Sequence, residues 1–385
     1  MKVNLYAADL GGCGHYRIIW PGEALKVNST VLDVTITTET DKDKAVIQTT
    51  CIDHPETGER IVVDATPPDA DVVVLQRPLV RDLVLTIPFL QARGVAVVVE
   101  VDDDFHSIHP HNIAWRTSDP AQSPAVNRDW LMRACKMADL VTVSTPVLAE
   151  RYAPHGRFAV LPNYLPPHAY KAQASAAHMP PDGSRGAVWV GWTGTIATHP
   201  DDLQVTHGAV GQALIKTGAG LWVTGPELGV RERLGVPDDT PFHSTGWVPL
   251  KDYYGAMAGM DIGIVPLNDS PFNRAKSWLK GLEMAALGIP FIASPLPEYQ
   301  ALANLGIGET VAKPRMWEGI LKALIKDKDR REAVAYDAWR ASETLSIDQH
   351  VWKWEDAYLQ ARANFAGRRH ASEYGMPALL ERVVL

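Results

Sequence analysis

Short runs of continuously apolar residues, separated by amphipathic segments, constrain this chain more than any other feature. Residues 71–76 (DVVVLQ) and 95–101 (VAVVVEV) are of strand length and lack the alternation of a half-exposed strand. Runs of this kind are typical of parallel strands that are buried on both faces of a sheet. Further runs of strand length lie at residues 3–7, 140–144, 158–161, 187–190, 221–224, 262–266 and 290–293. Alternation with helical segments such as 16–25 and 128–138 predicts an α/β fold.

The length of 385 residues predicts two domains, and a segment rich in Ala, Pro, Ser and Gly separates the two series of strands. We predict a first Rossmann-like domain over residues 1–165 and a linker over 166–186. A second Rossmann-like domain follows over 187–345, and a long helix with a tail over 346–385. Trp352 and Trp354 are predicted as the apolar anchors of that helix.

Charge and composition exclude several classes of protein. The net charge of −8 disfavours a protein that depends on broad attraction to nucleic-acid phosphates. Three widely spaced cysteines match neither a metal site nor a disulfide framework. No apolar run is long enough for a signal peptide or a membrane span, so we expect a cytoplasmic protein without a membrane span.

The segment 269–294 carries the most specific chemical signal. Lys276, Lys280 and Glu283 are spaced four and three residues apart, which predicts one shared helix face. Lysines near a helix N-terminus suit a diphosphate, and a carboxylate suits the hydroxyls of a ribose. The alternative is a solvated face with an ion-pair network.

This segment resembles the donor-binding segment of retaining glycosyltransferases with the GT-B fold. The resemblance rests on the turn Ala-Ala-Leu-Gly-Ile-Pro at 285–290, which follows a helix and precedes a strand. It implies two Rossmann-like domains facing a central cleft, with a C-terminal helix crossing back to the first domain. Glu283 matches the second glutamate of the family motif, which holds the ribose. The first glutamate would fall at Ala275, and Asn273 is a candidate substitute.

The resemblance extends to the loops that follow the other strands of the second half. It implies that the loop after residues 187–190 lies against the phosphates and sugar of the donor, and that the segment 246–249 contacts the base. For His199 the alternative is a helix-start neighbour of Asp201, and for Trp247 it is the core. The expected donor-binding residues are Gly12, Gly14, Trp192, Thr193, Gly194, Thr195, His199, Thr224, Gly225, Trp247, Val248, Asn273, Lys276, Ser277, Lys280 and Glu283.

The first strand leads into a loop with Gly12, Gly14 and Arg17. A dinucleotide fingerprint needs glycine at position 17, so that interpretation fails. The loop resembles the glycine loop of the family that faces the cleft, which would bring Arg17 toward the diphosphate. The alternative is a tight turn.

Asp102, Asp103 and Asp104 follow the run 95–101, and His111 lies shortly after them. Three consecutive carboxylates are costly unless they are solvated, paired or bound to a cation. They are consistent with a metal site, with helix capping and loop ordering, or with acceptor binding. Because GT-B enzymes usually need no metal, we expect none. One of these aspartates or His111 is then the candidate base that deprotonates the acceptor.

Together these motifs resemble glycosyltransferases of bacteriophages and of bacterial surface-polysaccharide clusters. The implied activity is transfer of a hexose from a nucleotide-diphosphate sugar, UDP-hexose first among them, to an acceptor hydroxyl with retention and without a further cofactor. Protein, glycan, lipid and modified nucleic acid remain open as acceptors, as does the oligomeric state; a phage enzyme would act in the host cytoplasm. The alternatives are a nucleotide-sugar epimerase of the same fold, a non-catalytic sugar-binding relative, and a metal-dependent hydrolase that uses the Asp/His cluster.

Overall fold

The computed structural model describes residues 1–38, 47–53, 55–56, 58–174 and 187–373, and these fall into two compact units. Unit 1 contains Met1–Ser107, Trp115–Asn163 and the chain from His350 onward, and unit 2 contains Ile108–Ala114 and Tyr164–Gln349. Residues 175–186 of the predicted linker and 374–385 of the predicted tail lie outside the described residues.

Unit 1 is built on a parallel sheet of six strands. The chain order of its strands is β1 (Lys2–Tyr6), β2 (Asp33–Thr37), β3 (Gln48–Asp53), β4 (Arg60–Thr66), β5 (Val72–Gln76), β6 (Ala96–Val101), β7 (Leu140–Val143) and β8 (Phe158–Val160). The sheet order is β2-β1-β5-β6-β7-β8, while β3 and β4 form a separate antiparallel pair. Every residue of β5, β6 and β7 is buried, as their continuous apolar character predicted.

The helices of unit 1 lie between these strands. They are α1 (Gly12–Gly14), a π-helix (His15–Ile19), α2 (Trp20–Asn28), α3 (Arg81–Leu85), α4 (Ile87–Ala92), α5 (Ala114–Ser118), α6 (Arg128–Met137) and α7 (Pro146–Tyr152). Helix α7 is capped at its start: the Thr145 hydroxyl accepts a hydrogen bond from the Leu148 N–H, and Pro146 occupies the first turn.

Unit 2 has its own parallel sheet of six strands. These are β9 (Trp189–Thr193), β10 (Gly220–Thr224), β11 (Phe242–Ser244), β12 (Ile262–Val265), β13 (Phe291–Ala293) and β14 (Glu309–Thr310). Their order is β11-β10-β9-β12-β13-β14. The helices are α8 (Ala209–Thr217), α9 (Val230–Leu234), α10 (Leu250–Met257), α11 (Pro271–Arg274), α12 (Leu279–Ala286), α13 (Pro297–Asn304), α14 (Pro314–Lys326), α15 (Lys328–Ser342) and α16 (Ile347–His350), with short 3-10 turns at Ala169–Lys171, Leu203–Thr206 and Glu343–Leu345.

A last helix, α17 (Trp352–Glu373), belongs to unit 1 and packs beside β6 and β7. Trp354 is fully buried, as expected of an apolar anchor, whereas Trp352 is 54% exposed and the prediction that it is a second anchor is wrong. Polar groups complete the attachment. Asn364 donates to the carbonyl of Asp139 (2.9 Å), and Arg362 donates to the carbonyl of Gly94 (2.7 Å).

Within the described part of the chain, no helix combines the length and the apolar character that a membrane span needs.

Candidate functional site

The strand order of unit 2 reverses between β9 and β12, which start the two halves of the sheet. In open α/β sheets, ligands bind beyond the carboxyl ends of the strands at such a reversal. The loop after β9 begins at Gly194, and the loop after β12 leads into α11 and α12. The most specific sequence signals of the second half therefore meet at one edge of one sheet.

Two glycines allow the loop after β9 to approach the loop after β10. Gly194 has φ 138° and Gly225 has φ 136°, a region that side chains rarely adopt. A Cβ on Gly225 would lie 2.1 Å from the carbonyl oxygen of Gly194. Backbone packing thus requires glycine at position 225, and the positive φ favours glycine at position 194.

Thr193, at the end of β9, starts a hydrogen-bond chain to α12. Its hydroxyl lies 2.9 Å from the hydroxyl of Tyr253, which in turn donates to the Glu283 carboxylate (3.2 Å). Glu283 is 2% exposed. Tyr253 is a residue that the sequence analysis did not assign, because an aromatic on a helix usually packs in the core.

Lys280 lies at the centre of the edge, where its ammonium is close to residues of strand β9 and of the loop that follows it. Its Nζ is 3.2 Å from Nε2 of His199 and 5.4 Å from the ring centre of Trp192. Burial lowers the pKa of Lys280 to about 8, helped by the charge of Lys276 and opposed by Asp202 and Glu283. A lysine with reduced hydration and a nearby cation favours the binding of an anion.

Asp202 joins three segments of this edge. One carboxylate oxygen accepts from the backbone N–H of Asn268 (3.0 Å) and from the side chain of Asn273 (2.6 Å). The other lies 2.7 Å from Nδ1 of His199. Burial and the charge of Lys280 lower the pKa of His199, against the effect of Asp202, and this lowering favours the neutral ring. Asp202 was not among the predicted site residues, although its spacing of three from His199 was an available signal.

The segment 269–294 differs from the expected single helix. It forms two short helices, α11 and α12, and Lys276 lies in the turn between them, over the ring of Phe272 (4.5 Å). The prediction that one helix carries all three charged residues is wrong. Lys276 and Glu283 nevertheless both act on Lys280 electrostatically. Ser277 lies in the same turn, partly exposed.

The remaining donor-binding candidates divide into exposed and buried groups. Trp247 is 77% exposed and Val248 is partly exposed, just after β11, so the alternative that Trp247 belongs to the core is wrong. Thr195 is buried and its hydroxyl accepts from the Ala197 N–H. Thr224 is also buried, with its hydroxyl bonded to the Trp222 indole.

Arg17 lies inside unit 1. Its guanidinium is 1% exposed and donates to Glu100 (2.7 Å), to the Leu161 carbonyl (2.6 Å) and to Asn163 (2.8 Å). Burial raises the pKa of Glu100 to about 7, against the opposing effect of Arg17. We therefore assign Arg17 to a buried ion pair rather than to the diphosphate contact expected from the sequence.

The glycine loop of unit 1 is helical rather than open. A Cβ on Gly14 would lie 1.8 Å from the backbone oxygen of Asp9, whereas one on Gly12 would meet nothing within 4 Å. The Asp9 carboxylate accepts from the N–H groups of Gly11 (2.7 Å) and Gly14 (3.2 Å). Packing against Asp9 accounts for Gly14 without a ligand.

Two of the three consecutive aspartates are paired with arginines. Asp104 accepts from Arg151 (3.0 Å), and Asp102 lies 3.6 Å from Arg77, a residue with the unusual φ of 44° that the sequence analysis missed. Asp103 lies between them, partly exposed. These pairings match the expectation of loop-ordering aspartates.

His111 does not share a unit with these aspartates. It is exposed and lies in the segment Ile108–Ala114 of unit 2. That segment contacts the β9 loop, because Asn112 donates to the carbonyl of Thr198 (3.0 Å). The predicted Asp/His cluster is therefore divided between the two units. Among the described residues, no group of three or more His, Cys, Asp or Glu side chains is placed to hold a metal ion.

Comparisons with known proteins identify the fold. No protein-family model and no curated protein matches the sequence. Solved structures do match. HepE from Anabaena, in complex with UDP, is 13% identical, and the match covers 93% of this chain and 100% of HepE with a TM-score of 0.57. WaaG, a glycosyltransferase involved in lipopolysaccharide biosynthesis, is 16% identical over 93% of this chain and 99% of its own, also with a TM-score of 0.57.

A third match is the sucrose-phosphate synthase from Thermosynechococcus elongatus, which is 17% identical. It covers 97% of this chain and 99% of its own, with a TM-score of 0.54. The chain therefore has the GT-B fold of these proteins, with two parallel α/β sheets and a C-terminal helix. The fold class predicted from the sequence is confirmed.

Proposed function

We propose that this chain is a retaining glycosyltransferase that moves a hexose from UDP-hexose to an acceptor hydroxyl in the cytoplasm. The observation that carries this proposal is the convergence of Lys280, Lys276, His199 and Glu283 at the strand-order reversal of unit 2. Two lysines and a buried carboxylate at that edge match the diphosphate and the ribose of one nucleotide.

The reaction breaks the bond between the anomeric carbon and the diphosphate oxygen, and the electron pair leaves with UDP. A bond forms between the acceptor oxygen and the anomeric carbon, and the acceptor hydroxyl gives its proton to an oxygen of the leaving diphosphate. Lys280 and Lys276 stabilise the charge that develops on the leaving diphosphate, which is the electrostatic part of the catalysis. The exposed ring of Trp247 offers a stacking surface for the base.

The fold supports the same proposal by analogy, because HepE has this fold and was crystallised with UDP. Nothing in the site favours the hydrolase, because two of the aspartates that it would need are paired with arginines. An epimerase would share the donor site, so the test must separate conversion of the sugar from its transfer.

The binding half of the proposal is tested by calorimetry with UDP and with uridine. We expect Lys280→Ala to weaken UDP binding by about 1.5–3 kcal/mol, the range for a hydrogen bond to a charged group, and to leave the affinity for uridine unchanged. Lys216→Ala is the matched control, since Lys216 pairs with Glu318 on the surface of unit 2. Equal UDP affinity for wild type and Lys280→Ala would remove the diphosphate role.

The chemical half is tested by incubating labelled UDP-glucose and UDP-galactose with cellular extracts and with the enzyme alone. Mass spectrometry should find the hexose on a new acceptor only when extract is present, and NMR of that product should show the anomeric configuration of the donor. Conversion of the UDP-sugar in the absence of any acceptor would identify an epimerase instead.

A further inference from the structure

We propose that Asp202 is a positioning residue for the donor diphosphate, acting through His199 on Lys280. This inference rests on the proposed nucleotide-sugar site. It assigns a task to two residues that need not touch the donor themselves. Asp202 lies on the loop after β9 and Lys280 on α12, so the link joins two segments far apart in sequence.

The hydrogen bonds around Asp202 fix which nitrogen of His199 carries the proton. One Asp202 oxygen accepts from two donors, the Asn268 N–H and the Asn273 side chain. The other oxygen, 2.7 Å from Nδ1 of His199, is also an acceptor. Because a carboxylate only accepts, the proton of neutral His199 lies on Nδ1, and Nε2 presents a lone pair.

That lone pair faces Lys280. The Lys280 ammonium lies 3.2 Å from Nε2 of His199 and over the ring of Trp192, so it donates one hydrogen to His199. An ammonium has three donors, which leaves two for the oxygens of an anion. Asp202 is buried, the His199 side chain is 11% exposed, and the contact between them is short. Together they reduce the conformational freedom of the long and otherwise flexible Lys280 side chain.

The tautomer makes the link specific. An asparagine at position 202 has one acceptor and one donor where the aspartate has two acceptors. In the Asp202→Asn variant, the NH2 group therefore faces one of two places. It points either toward the donors of Asn268 and Asn273 or toward Nδ1 of His199. In the second case the proton of His199 moves to Nε2 and opposes the ammonium of Lys280. The surrounding charges on Lys280 are Lys276, which opposes protonation, and Asp202 and Glu283, which favour it.

The first experiment needs no ligand. Two-dimensional 1H–15N NMR of the imidazole nitrogens, assigned with His199→Ala, should show the Nδ1–H tautomer of His199 in the wild-type protein. The Nε2–H tautomer, or a charged ring at pH 7, would overturn the proposal whether or not the protein binds a nucleotide.

The second experiment is a double-mutant cycle measured by calorimetry with UDP and uridine. Asp202→Asn should weaken UDP binding by about ten-fold, because much of the affinity from the charged Lys280 contact is lost. The affinity for uridine should stay unchanged. It should add little to Lys280→Ala, because both changes remove the same contact. Asp201→Asn is the matched control: Asp201 is the neighbouring carboxylate, half exposed and 3.7 Å from His109.

The pH dependence of UDP affinity distinguishes a specific effect of Asp202 on Lys280 from a general disturbance of the site. With a pKa of about 8 for Lys280, UDP affinity of the wild type should fall above pH 8 as the ammonium is lost. Removing the Asp202 charge should shift that fall to lower pH, while Asp201→Asn should leave it in place. If Asp202→Asn does not fold, His199→Ala tests the same link through the same cycle.

The outcomes distinguish the two proposals. Additive losses in Asp202→Asn and Lys280→Ala, with an unshifted pH profile, would overturn the positioning role and leave the glycosyltransferase proposal intact. A wild-type protein that binds neither UDP nor another nucleoside diphosphate would overturn both.

Discussion

Replacing Arg17 with methionine tests the assignment of this residue to the interior of unit 1. Methionine keeps an unbranched chain in place but removes the guanidinium that binds Glu100, the Leu161 carbonyl and Asn163. Glu100 is 1% exposed, and its second carboxylate oxygen is buried without a hydrogen bond. The variant therefore leaves a buried carboxylate without the cation that hydrogen-bonds it.

Breaking a buried ion pair in this way costs about 3–5 kcal/mol. For a domain of roughly 150–250 residues, each kcal/mol lowers the melting temperature by about 2–4 °C, so we expect a loss of about 6–20 °C. Arg93→Met is the matched control in unit 1. Arg93 pairs with Asp64 at the surface (2.6 Å), where such a pair contributes about 0–1 kcal/mol.

The loss should depend on pH. Burial raises the pKa of Glu100 to about 7 in the wild type, so the stability provided by the neutral carboxyl is present below its unfolded pKa and lost as pH rises to about 7. Without Arg17, the pKa of Glu100 rises further. The variant then continues to lose stability above pH 7, at up to about 1.4 kcal/mol per pH unit.

Differential scanning calorimetry at pH 6 and pH 9 measures both effects. The difference between wild type and Arg17→Met should be larger at pH 9, and adding Glu100→Gln to Arg17→Met should restore part of the loss. A melting temperature within the range of the Arg93→Met control, or a difference that is the same at both pH values, would refute the buried-pair assignment.

Three further predictions concern the site and the last helix. Glu283→Gln should weaken UDP more than deoxy-UDP by calorimetry, because the buried carboxylate is assigned to the ribose hydroxyls; an unchanged preference contradicts that role. Trp354→Ala should destabilise unit 1 by about 3–5 kcal/mol in thermal unfolding, whereas Trp352→Ala should stay within about 0.5 kcal/mol, because only Trp354 is buried. Turnover of UDP-hexose in excess chelator should match the untreated rate, since the lysines already supply positive charge at the diphosphate; a loss that Mn²⁺ or Mg²⁺ restores would contradict this and implicate Asp102, Asp103 and Asp104.

The central sheet strands were predictable because strands that are buried on both faces have continuously apolar sequences. Val72–Gln76 and Ala96–Val101 are continuous apolar runs, and no competing interpretation fits their length. The strands that were not predicted lack a continuous apolar run. Residues Gln48–Asp53 are mostly exposed and polar, and Glu309–Thr310 is a strand of two residues at the edge of a sheet.

The chemistry of the site was predictable only where residue type and local spacing agree. Lys280 and Glu283 are three apart on α12, so helix geometry alone places them together. Asp202 and Tyr253 reach the same edge from other segments, and only the folded topology brings them there. Arg17 was misassigned for the converse reason: its partner Glu100 is a charged residue inside an apolar strand, a contact that no local pattern reveals.

Unit 1 is interrupted in the sequence by unit 2, since the chain leaves it at Asn163 and returns at His350. This order has a consequence for folding during synthesis. At about 5–20 residues per second, a ribosome needs roughly 10–40 s to translate the intervening chain. Throughout that interval the faces of β6 and β7 that α17 covers have no partner helix, while unit 2 is made almost without interruption. Unit 2 can therefore complete its sheet before unit 1, although unit 1 begins first, and the apolar strands of unit 1 are the part of the nascent chain most in need of protection from aggregation.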